Sequence, residues 1–143
     1  MDFNLTEERR MLQDSLRRYL TDKYGHETRR KTIASGSAYD EGIFAGLAEL
    51  GVLGAVFSED EGGFGGMGFD LSVVFEELGR AGGIEPFLPA VLTGTLIAEN
   101  ADLVESVIAG KAIVALAHSE AEARYDLTHV GTSCTDSVLN GTK

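Results

Sequence analysis

The chain has 143 residues, 43% hydrophobic and 24% charged, which is enough for one domain with a hydrophobic core and excludes a small disulfide-stapled scaffold. Its net charge of −11 is uneven: residues 1–31 hold eight Lys and Arg against six Asp and Glu, and the rest hold four against seventeen. A negative field of this size repels phosphate backbones and anionic lipid, so neither nucleic acid nor a membrane is an expected partner.

The first residues show no signal-peptide pattern, and no apolar run reaches membrane-spanning length. A cytoplasmic protein is therefore expected. The single cysteine, Cys134, has no partner for an internal disulfide and is predicted to be a small buried or half-buried residue in a reducing compartment.

An amphipathic helix is predicted from a cap at Thr6 or Asn4 to about Tyr24, because apolar residues recur at three- and four-residue spacing. The stripe consists of Leu12, Leu16, Tyr19, Leu20 and Tyr24. Four arginines fall largely off it and are interpreted as a solvated face: Arg9, Arg10, Arg17 and Arg18. Gly25 ends the helix, and His26 is interpreted as a helix-end residue.

Four further helices are predicted after a turn at residues 36–40. The second helix covers residues 43–50 and closes at Gly51, and a short apolar segment follows at residues 52–57. Asp70 is expected to cap the third helix, Pro89 suits the first turn of the fourth, and Gly110 terminates a short fifth helix.

The pattern changes near Lys111, where an apolar run at residues 112–117 leads into pieces that are predicted to be short strands. These strands cover residues 128–134 and 138–139. Asn140-Gly141 is a strong signal for a two-residue hairpin turn, and no returning strand follows it. We therefore expect either a piece of a longer protein or a second chain that supplies the missing strands.

A glycine-rich segment at residues 63–68 formally matches the GxGxxG pattern of dinucleotide-binding loops. Its context opposes that interpretation, because acidic residues 59–61 stand where a pyrophosphate would approach and no parallel strand follows. A glycine-rich connection between helices is favoured. The same acidic residues are interpreted as a solvated loop rather than a pair of catalytic carboxylates.

The histidines near the C-terminus raise two other possible sites, and the sequence favours neither. A Ser-His-Asp triad from Ser119, His118 or His129 and Asp126 is disfavoured, because neighbours on a strand face opposite sides and the GxSxG elbow is absent. A metal site is disfavoured as well, since the two histidines lack a third ligand at a recognised spacing.

Six stretches form a recognisable set in both order and spacing over the whole chain: DFNLTEE at residues 2–8, LAELGVLG at 47–54, SEDEGGFGG at 58–66, FEELGR at 75–80, IAGK at 108–111 and VLNGTK at 138–143. Taken together, they resemble the acyl-CoA dehydrogenase family. The resemblance implies a mainly α fold: an N-terminal helical bundle at residues 1–110, then the first strands of a truncated antiparallel β-domain at residues 111–143.

In that family, an FAD bound between the subunits of a tetramer accepts a hydride from an acyl-CoA thioester, and a glutamate of the C-terminal domain removes the α-proton. The resemblance therefore implies FAD, an acyl-CoA substrate, a homo- or heterotetramer and electron-transfer flavoprotein as partners. The glutamate has no counterpart within these residues, so the chain is not expected to be catalytically complete alone.

The family's first flavin-contacting loop, Tyr-x-x-Thr-Glu-Pro-x-x-Gly-Ser-Asp, aligns with residues 116–126. The alignment implies five cofactor-binding residues: Leu116, His118, Ser119, Arg124 and Tyr125. Tyr125 is also the predicted substrate-binding residue, and no catalytic residue is predicted. Glu120 and Asp126 match the motif, whereas Ala121, Arg124 and Tyr125 replace its Pro, Gly and Ser.

These departures are most like the smaller subunits of heteromeric acyl-CoA dehydrogenases, such as pimeloyl-CoA or steroid-side-chain types. Two functions follow from the resemblance. The chain is predicted to be the N-terminal part of a flavin-dependent acyl-CoA dehydrogenase subunit, or else a non-catalytic partner that completes a heteromer. An acidic helical interaction domain is a third alternative, disfavoured by the unpaired turn.

Overall fold

The computed structural model describes residues 4–66 and 68–143, so Asp2 and Phe3 of the opening motif and Met67 of the glycine-rich segment lie outside the described residues. Helix α1 covers Glu7–Lys23. The Thr6 hydroxyl accepts a hydrogen bond from the Arg9 amide at 3.3 Å, which settles the predicted cap in favour of Thr6.

Helix α2, at His26–Ala34, was not predicted. Gly25 interrupts the helical path only briefly, and His26 begins this second helix. The residues of α2 are almost all polar and only Thr32 is buried, so no apolar stripe marks the helix in the sequence. Gly36 then adopts a φ of 81°, which confirms the predicted turn.

Helix α3 covers Glu41–Glu49 and is capped by Asp40, whose carboxylate accepts from the Ile43 amide at 3.0 Å. The predicted apolar segment after it is buried but forms no strand. It turns through a 3₁₀ helix at Gly54–Val56, and a second 3₁₀ helix follows at Glu59–Glu61.

Helices α4, α5 and α6 cover Gly68–Ala81, Phe87–Ile97 and Ala101–Ile108. Asp70 lies in the first turn of α4 rather than at its cap, which corrects the sequence prediction. Pro89 lies in the first turn of α5, and Gly110 ends α6 with a φ of 69°, both as predicted.

The core is built where α1, α3, α4, α5 and α6 meet around the 3₁₀ segment. Its largest fully buried hydrophobic side chains are Phe57, Phe87, Leu16, Leu47, Leu53, Val52, Val74, Val104 and Val107. These residues all come from segments whose apolar character is visible in the sequence. The α1 stripe therefore points into the core, as predicted.

Two of the four arginines that were interpreted as a solvated face instead join α1 to α4. Arg17 forms a fork on Glu77, with Nη2–Oε1 and Nε–Oε2 distances of 2.6 and 3.0 Å. Arg9 donates through Nε to Asp70 at 2.9 Å. Glu77 is 1% exposed, so its charge is paired inside the helix interface, and the Arg17 fork lowers its pKa.

A two-stranded antiparallel sheet follows the helices. Strand β1 covers Ser133–Thr135 and β2 covers Val138–Asn140, with Cys134 opposite Leu139. Asp136 and Ser137 join the strands with φ values of 49° and 62°, the pattern of a type I′ turn.

Three details of the sequence prediction are corrected in this region. The hairpin turn lies at residues 136–137 rather than at Asn140-Gly141, and the two strands are each other's partners. No strand begins near Lys111; within the described residues, regular β structure starts only at Ser133. Cys134 is exposed on β1 rather than buried.

The outer face of α5 is a ridge of three leucines one turn apart. Leu88, Leu92 and Leu96 are 52, 53 and 66% exposed. The opposite face packs into the core through Phe87 and Ala90, and the helix contains no charged residue. A mainly apolar helix with no charge on any face is characteristic of a buried position.

Candidate functional site

The predicted cofactor segment leaves the helical bundle directly after α6. The Lys111 and Ala112 amides both donate to the Ser106 carbonyl, at 2.9 and 3.0 Å, which seals the end of the helix. Ala112 and Val114 then pack against the core. The bundle thus fixes where the segment starts.

From residue 113 to residue 119 the backbone forms neither helix nor strand. Within the described part of the chain, none of these seven amides donates a hydrogen bond to another backbone group. Leu116, His118 and Ser119 are exposed along this stretch. The segment therefore presents a row of peptide donors and acceptors that can bind another group.

The chain then passes through two tight turns. The Ala123 amide donates to the Glu120 carbonyl at 3.1 Å, and the Asp126 amide donates to the Ala123 carbonyl at 2.8 Å. Arg124 and Tyr125 lie on the second turn, and Tyr125 is 99% exposed. All five predicted cofactor residues lie on one exposed stretch, residues 116–125. No hydrogen bond or ion pair among the described residues joins Arg124 or Tyr125 to the other three.

Arg124 has a φ of 49°, in the left-handed region that costs an L-residue roughly 1–2 kcal/mol and costs glycine nothing. The aligned family motif has glycine at this position. The backbone at Arg124 thus adopts a conformation that favours glycine, and the side chain adds a guanidinium. Among the described residues no carboxylate pairs with Arg124, so its charge is available to an anion.

Asp126 closes the next turn. Its carboxylate accepts from the Thr128 amide at 2.9 Å and from the Thr128 hydroxyl at 2.8 Å. These bonds lower the pKa of Asp126, so the residue is a fixed anionic acceptor rather than a general base. This geometry gives no support to a role for Asp126 in a triad.

Glu120 is the residue of the segment that sequence reasoning did not place in the site. Its side chain is 8% exposed. The carboxylate accepts from the Gly131 amide at 2.6 Å, from the Thr132 amide at 3.0 Å and from the Thr132 hydroxyl at 2.7 Å. Lys143 adds an ion pair at 2.8 Å. The pKa of Glu120 lies far below its usual range, because Lys143 and, to a smaller extent, the hydrogen bonds from Thr132 and Gly131 stabilise the carboxylate.

The only sequence signal for Glu120 was its match to the family motif. Its partners are 11 to 23 residues further along the chain, a separation at which no local pattern predicts contact. The Lys143 ammonium also donates to the His118 carbonyl at 3.4 Å.

The glycine-rich segment at residues 63–66 is explained by packing. A Cβ at Gly63 would collide with the carbonyl oxygens of Phe57 and Gly54, and a Cβ at Gly66 would lie 2.5 Å from the Ala55 carbonyl oxygen. The Phe64 and Gly65 amides donate to this same 3₁₀ segment. The loop is a tight connection between helices, as the sequence indicated, and its glycines are used in contact with protein rather than phosphate.

One of the acidic residues next to that loop, Glu61, is also structural, whereas Glu59 and Asp60 are exposed. The Glu61 carboxylate accepts from the Ser58 amide at 2.8 Å and from its hydroxyl at 2.7 Å, which forms a capping box on the short 3₁₀ helix. In the described part of the chain no three His, Cys, Asp or Glu side chains are placed to hold a metal ion. Nor does any described helix have the length and apolar character to cross a membrane.

Comparison with known proteins points to one family. The profile described as "Acyl-CoA dehydrogenase, N-terminal domain" matches residues 6–102. The chain is 34% identical to acyl-CoA dehydrogenase IpdE2 of Mycobacterium tuberculosis over 80% of its own length and 35% of the relative's. It is 30% identical to benzylmalonyl-CoA dehydrogenase of Aromatoleum aromaticum over 100% of its own length and 41% of the relative's.

A third relative, acyl-CoA dehydrogenase IpdE2 of Mycolicibacterium smegmatis, is 34% identical over 68% of this chain and 30% of its own length. The chain thus spans about two fifths or less of the curated relatives it matches. No solved structure matched the chain significantly.

Proposed function

Because the chain belongs to the acyl-CoA dehydrogenase family, we propose that it is the N-terminal part of a flavin-dependent acyl-CoA dehydrogenase subunit. In this proposal residues 1–110 are the helical domain and residues 111–143 begin the β-domain. The complete subunit would oxidise the α,β-bond of an acyl-CoA thioester, with FAD as the hydride acceptor.

The observation that carries the proposal is the backbone of residues 113–126. It combines a run of peptide groups without backbone partners and, where the family motif has glycine, an arginine in the left-handed region. The donors present fit a flavin: peptide groups and a hydroxyl suit the polar edge of the ring, and a guanidinium suits a pyrophosphate. FAD, when bound, would supply the hydride-accepting chemistry.

The roles of the individual residues follow from their chemistry. Ser119, with the peptide groups of Leu116 and His118, would hold the ring edge. Arg124 would form a charge-assisted fork with the pyrophosphate, and its field would offset part of the acidic charge of the chain. Tyr125, fully exposed on the same turn, would lie against the substrate.

The leucine ridge of α5 supports assembly into something larger. Three aligned leucines that are more than half exposed form a surface that folded proteins normally cover. We assign this ridge to contact with another domain or subunit of a homo- or heterotetramer. An acyl-CoA substrate and electron-transfer flavoprotein are the further partners of the proposal.

A second function, that of a non-catalytic partner subunit, is favoured by a separate observation. Tyr125 replaces the motif's serine and is 99% exposed, so a bulky ring stands where the family has a small hydroxyl. Such a ring in the cofactor position is compatible with a subunit that completes a heteromer without turning over substrate. The two functions differ in whether bound flavin can be reduced by substrate.

The complete protein purified with its partners tests the proposal. The Arg124→Ala variant should bind FAD about tenfold more weakly than wild type, since one charged hydrogen-bonding group on the pyrophosphate is lost. Arg30→Ala is the matched control: Arg30 is exposed on α2 and pairs with Glu27, so its loss should leave FAD affinity unchanged.

Anaerobic addition of acyl-CoA then separates the two functions. In an assembly of this subunit alone, bleaching of the visible flavin band identifies a dehydrogenase subunit. Bleaching that occurs only when a sister chain is present identifies the partner subunit. A wild-type complex that binds no FAD would refute both.

A further inference from the structure

The carboxylate of Glu120 accepts hydrogen bonds from donors at two separate places in the chain. Gly131 and Thr132 immediately precede β1, and Lys143 follows β2. These contacts close residues 120–131 into a loop whose two ends are joined at Glu120. We propose that Glu120 is a positioning residue for the cofactor segment, an inference that rests on the proposed function.

The loop at residues 120–131 makes few other contacts with the rest of the protein. Apart from Glu120, only Ala123 between residues 120 and 131 is even half-buried. The two tight turns and the Asp126–Thr128 bonds shape the loop locally, but they do not fix its ends relative to each other. The carboxylate does this, because it joins residue 120 to residues 131 and 132 directly. It therefore determines where Arg124 and Tyr125 stand relative to Ser119.

Lys143 extends this control to the extended stretch. Its ammonium lies 2.8 Å from Glu120 Oε1 and 3.4 Å from the His118 carbonyl oxygen. The C=O of His118 and the N–H of Ser119 belong to one planar trans peptide and point in opposite directions. A cation that holds the carbonyl on one side consequently turns the Ser119 amide to the other side, where no described backbone group accepts from it.

The same arrangement explains why a charged residue is used at this position. Neutral groups can close a loop, but four donors that converge on two oxygens match the acceptor capacity of an ionised carboxylate. A glutamine has one acceptor oxygen and one NH₂ group, and that NH₂ would face either Lys143 and Thr132 or the Gly131 amide, depending on which carboxylate oxygen it replaces. Glu120→Gln should therefore disturb the anchor without changing the side-chain size.

The test compares three substitutions in the complete protein with its partners. Glu120→Gln and Lys143→Met each remove the ion pair, and Lys143→Arg keeps the charge and the reach. Glu122→Gln is the matched control, because Glu122 is exposed two residues away and accepts no hydrogen bond from a described residue. FAD affinity, the position of the visible flavin band, thermal melting and amide hydrogen exchange at Gly131 and Thr132 are measured for each protein.

The positioning role predicts a specific pattern. Glu120→Gln and Lys143→Met weaken FAD binding about tenfold, shift the flavin band and speed exchange at Gly131 and Thr132 in the flavin-free protein. Lys143→Arg restores wild-type behaviour, Glu122→Gln shows it throughout, and the melting of the helical bundle is unchanged. The double variant is no worse than either single one, because both changes break the same contact.

The other possible outcomes contradict either the positioning role of Glu120 alone or the proposed function as well. If the wild-type protein binds FAD and Glu120→Gln binds it equally well with the same spectrum, the positioning role is wrong and the proposed function stands. If exchange speeds up and the flavin parameters do not change, Glu120 is only a structural anchor. If the wild-type protein binds no FAD, the proposed function fails and the positioning role fails with it.

Discussion

Replacing Glu77 with glutamine should lower the free energy of unfolding by about 2 kcal/mol at neutral pH. Glu77 is 1% exposed and accepts two short hydrogen bonds from Arg17, with a longer contact of 3.5 Å from Arg80. A hydrogen bond to a charged group contributes roughly 1.5–3 kcal/mol, and we take the lower part of that range because the arginine side of the fork is open to solvent. For a chain of this length, the loss corresponds to a melting temperature lower by about 6–8 °C.

The dependence on pH gives a second, independent signature. The Arg17 fork lowers the pKa of Glu77, so the folded value lies below the unfolded value. Stability from this group is therefore present above the unfolded pKa, near 4.3, and is lost as the pH falls through the folded value. The difference between wild type and Glu77→Gln should be full at pH 7 and should shrink as the pH falls below about 4.

Thermal and urea denaturation followed by circular dichroism measure both effects. Glu76→Gln is the matched control, since Glu76 is 57% exposed and pairs with Arg80 one turn away; its change should stay within about 0.5 kcal/mol. Glu77→Leu should cost less than Glu77→Gln, because it buries no unpaired polar atom. Equal stability of wild type and Glu77→Gln at pH 7, or a difference that persists undiminished at low pH, would show that the Arg17–Glu77 pair does not stabilise the fold.

Two further substitutions probe the packing of the helical domain. Burial raises the pKa of Glu85, and one of its carboxylate oxygens has no hydrogen-bond partner among the described residues. The folded protein therefore loses stability as the pH rises through the folded pKa of Glu85 and the carboxylate ionises. Glu85→Gln should therefore melt about 2–4 °C higher than wild type at pH 8, with the gain fading below about pH 4 in parallel melting curves. Gly63→Ala should lose about 2 kcal/mol in urea titrations, because its methyl group would meet the fixed carbonyl oxygens of Phe57 and Gly54; Gly68→Ala, with open space around it, should not.

The sequence was sufficient for most of the helices because their signals are local. The caps at Thr6 and Asp40 bond to amides three residues ahead, and apolar spacing within one or two turns marks each buried face. Helix α2 lacks such a stripe and was missed for that reason. The hairpin turn was misplaced because Asn-Gly is a preference, whereas the observed strand register puts the positive φ values on Asp136 and Ser137.

The family resemblance predicted the cofactor segment, and Arg124, with its left-handed φ, lies where the aligned motif has glycine. The anchor on Glu120 was decided by the tertiary structure alone, since its partners come from residues 131, 132 and 143. The same holds for the Arg17–Glu77 fork, which joins residues 60 apart. Local sequence determines which segments are helical and which face is apolar, because those preferences act within a few residues. Which charges meet is determined only when the packed helices and the closed loop bring distant side chains together.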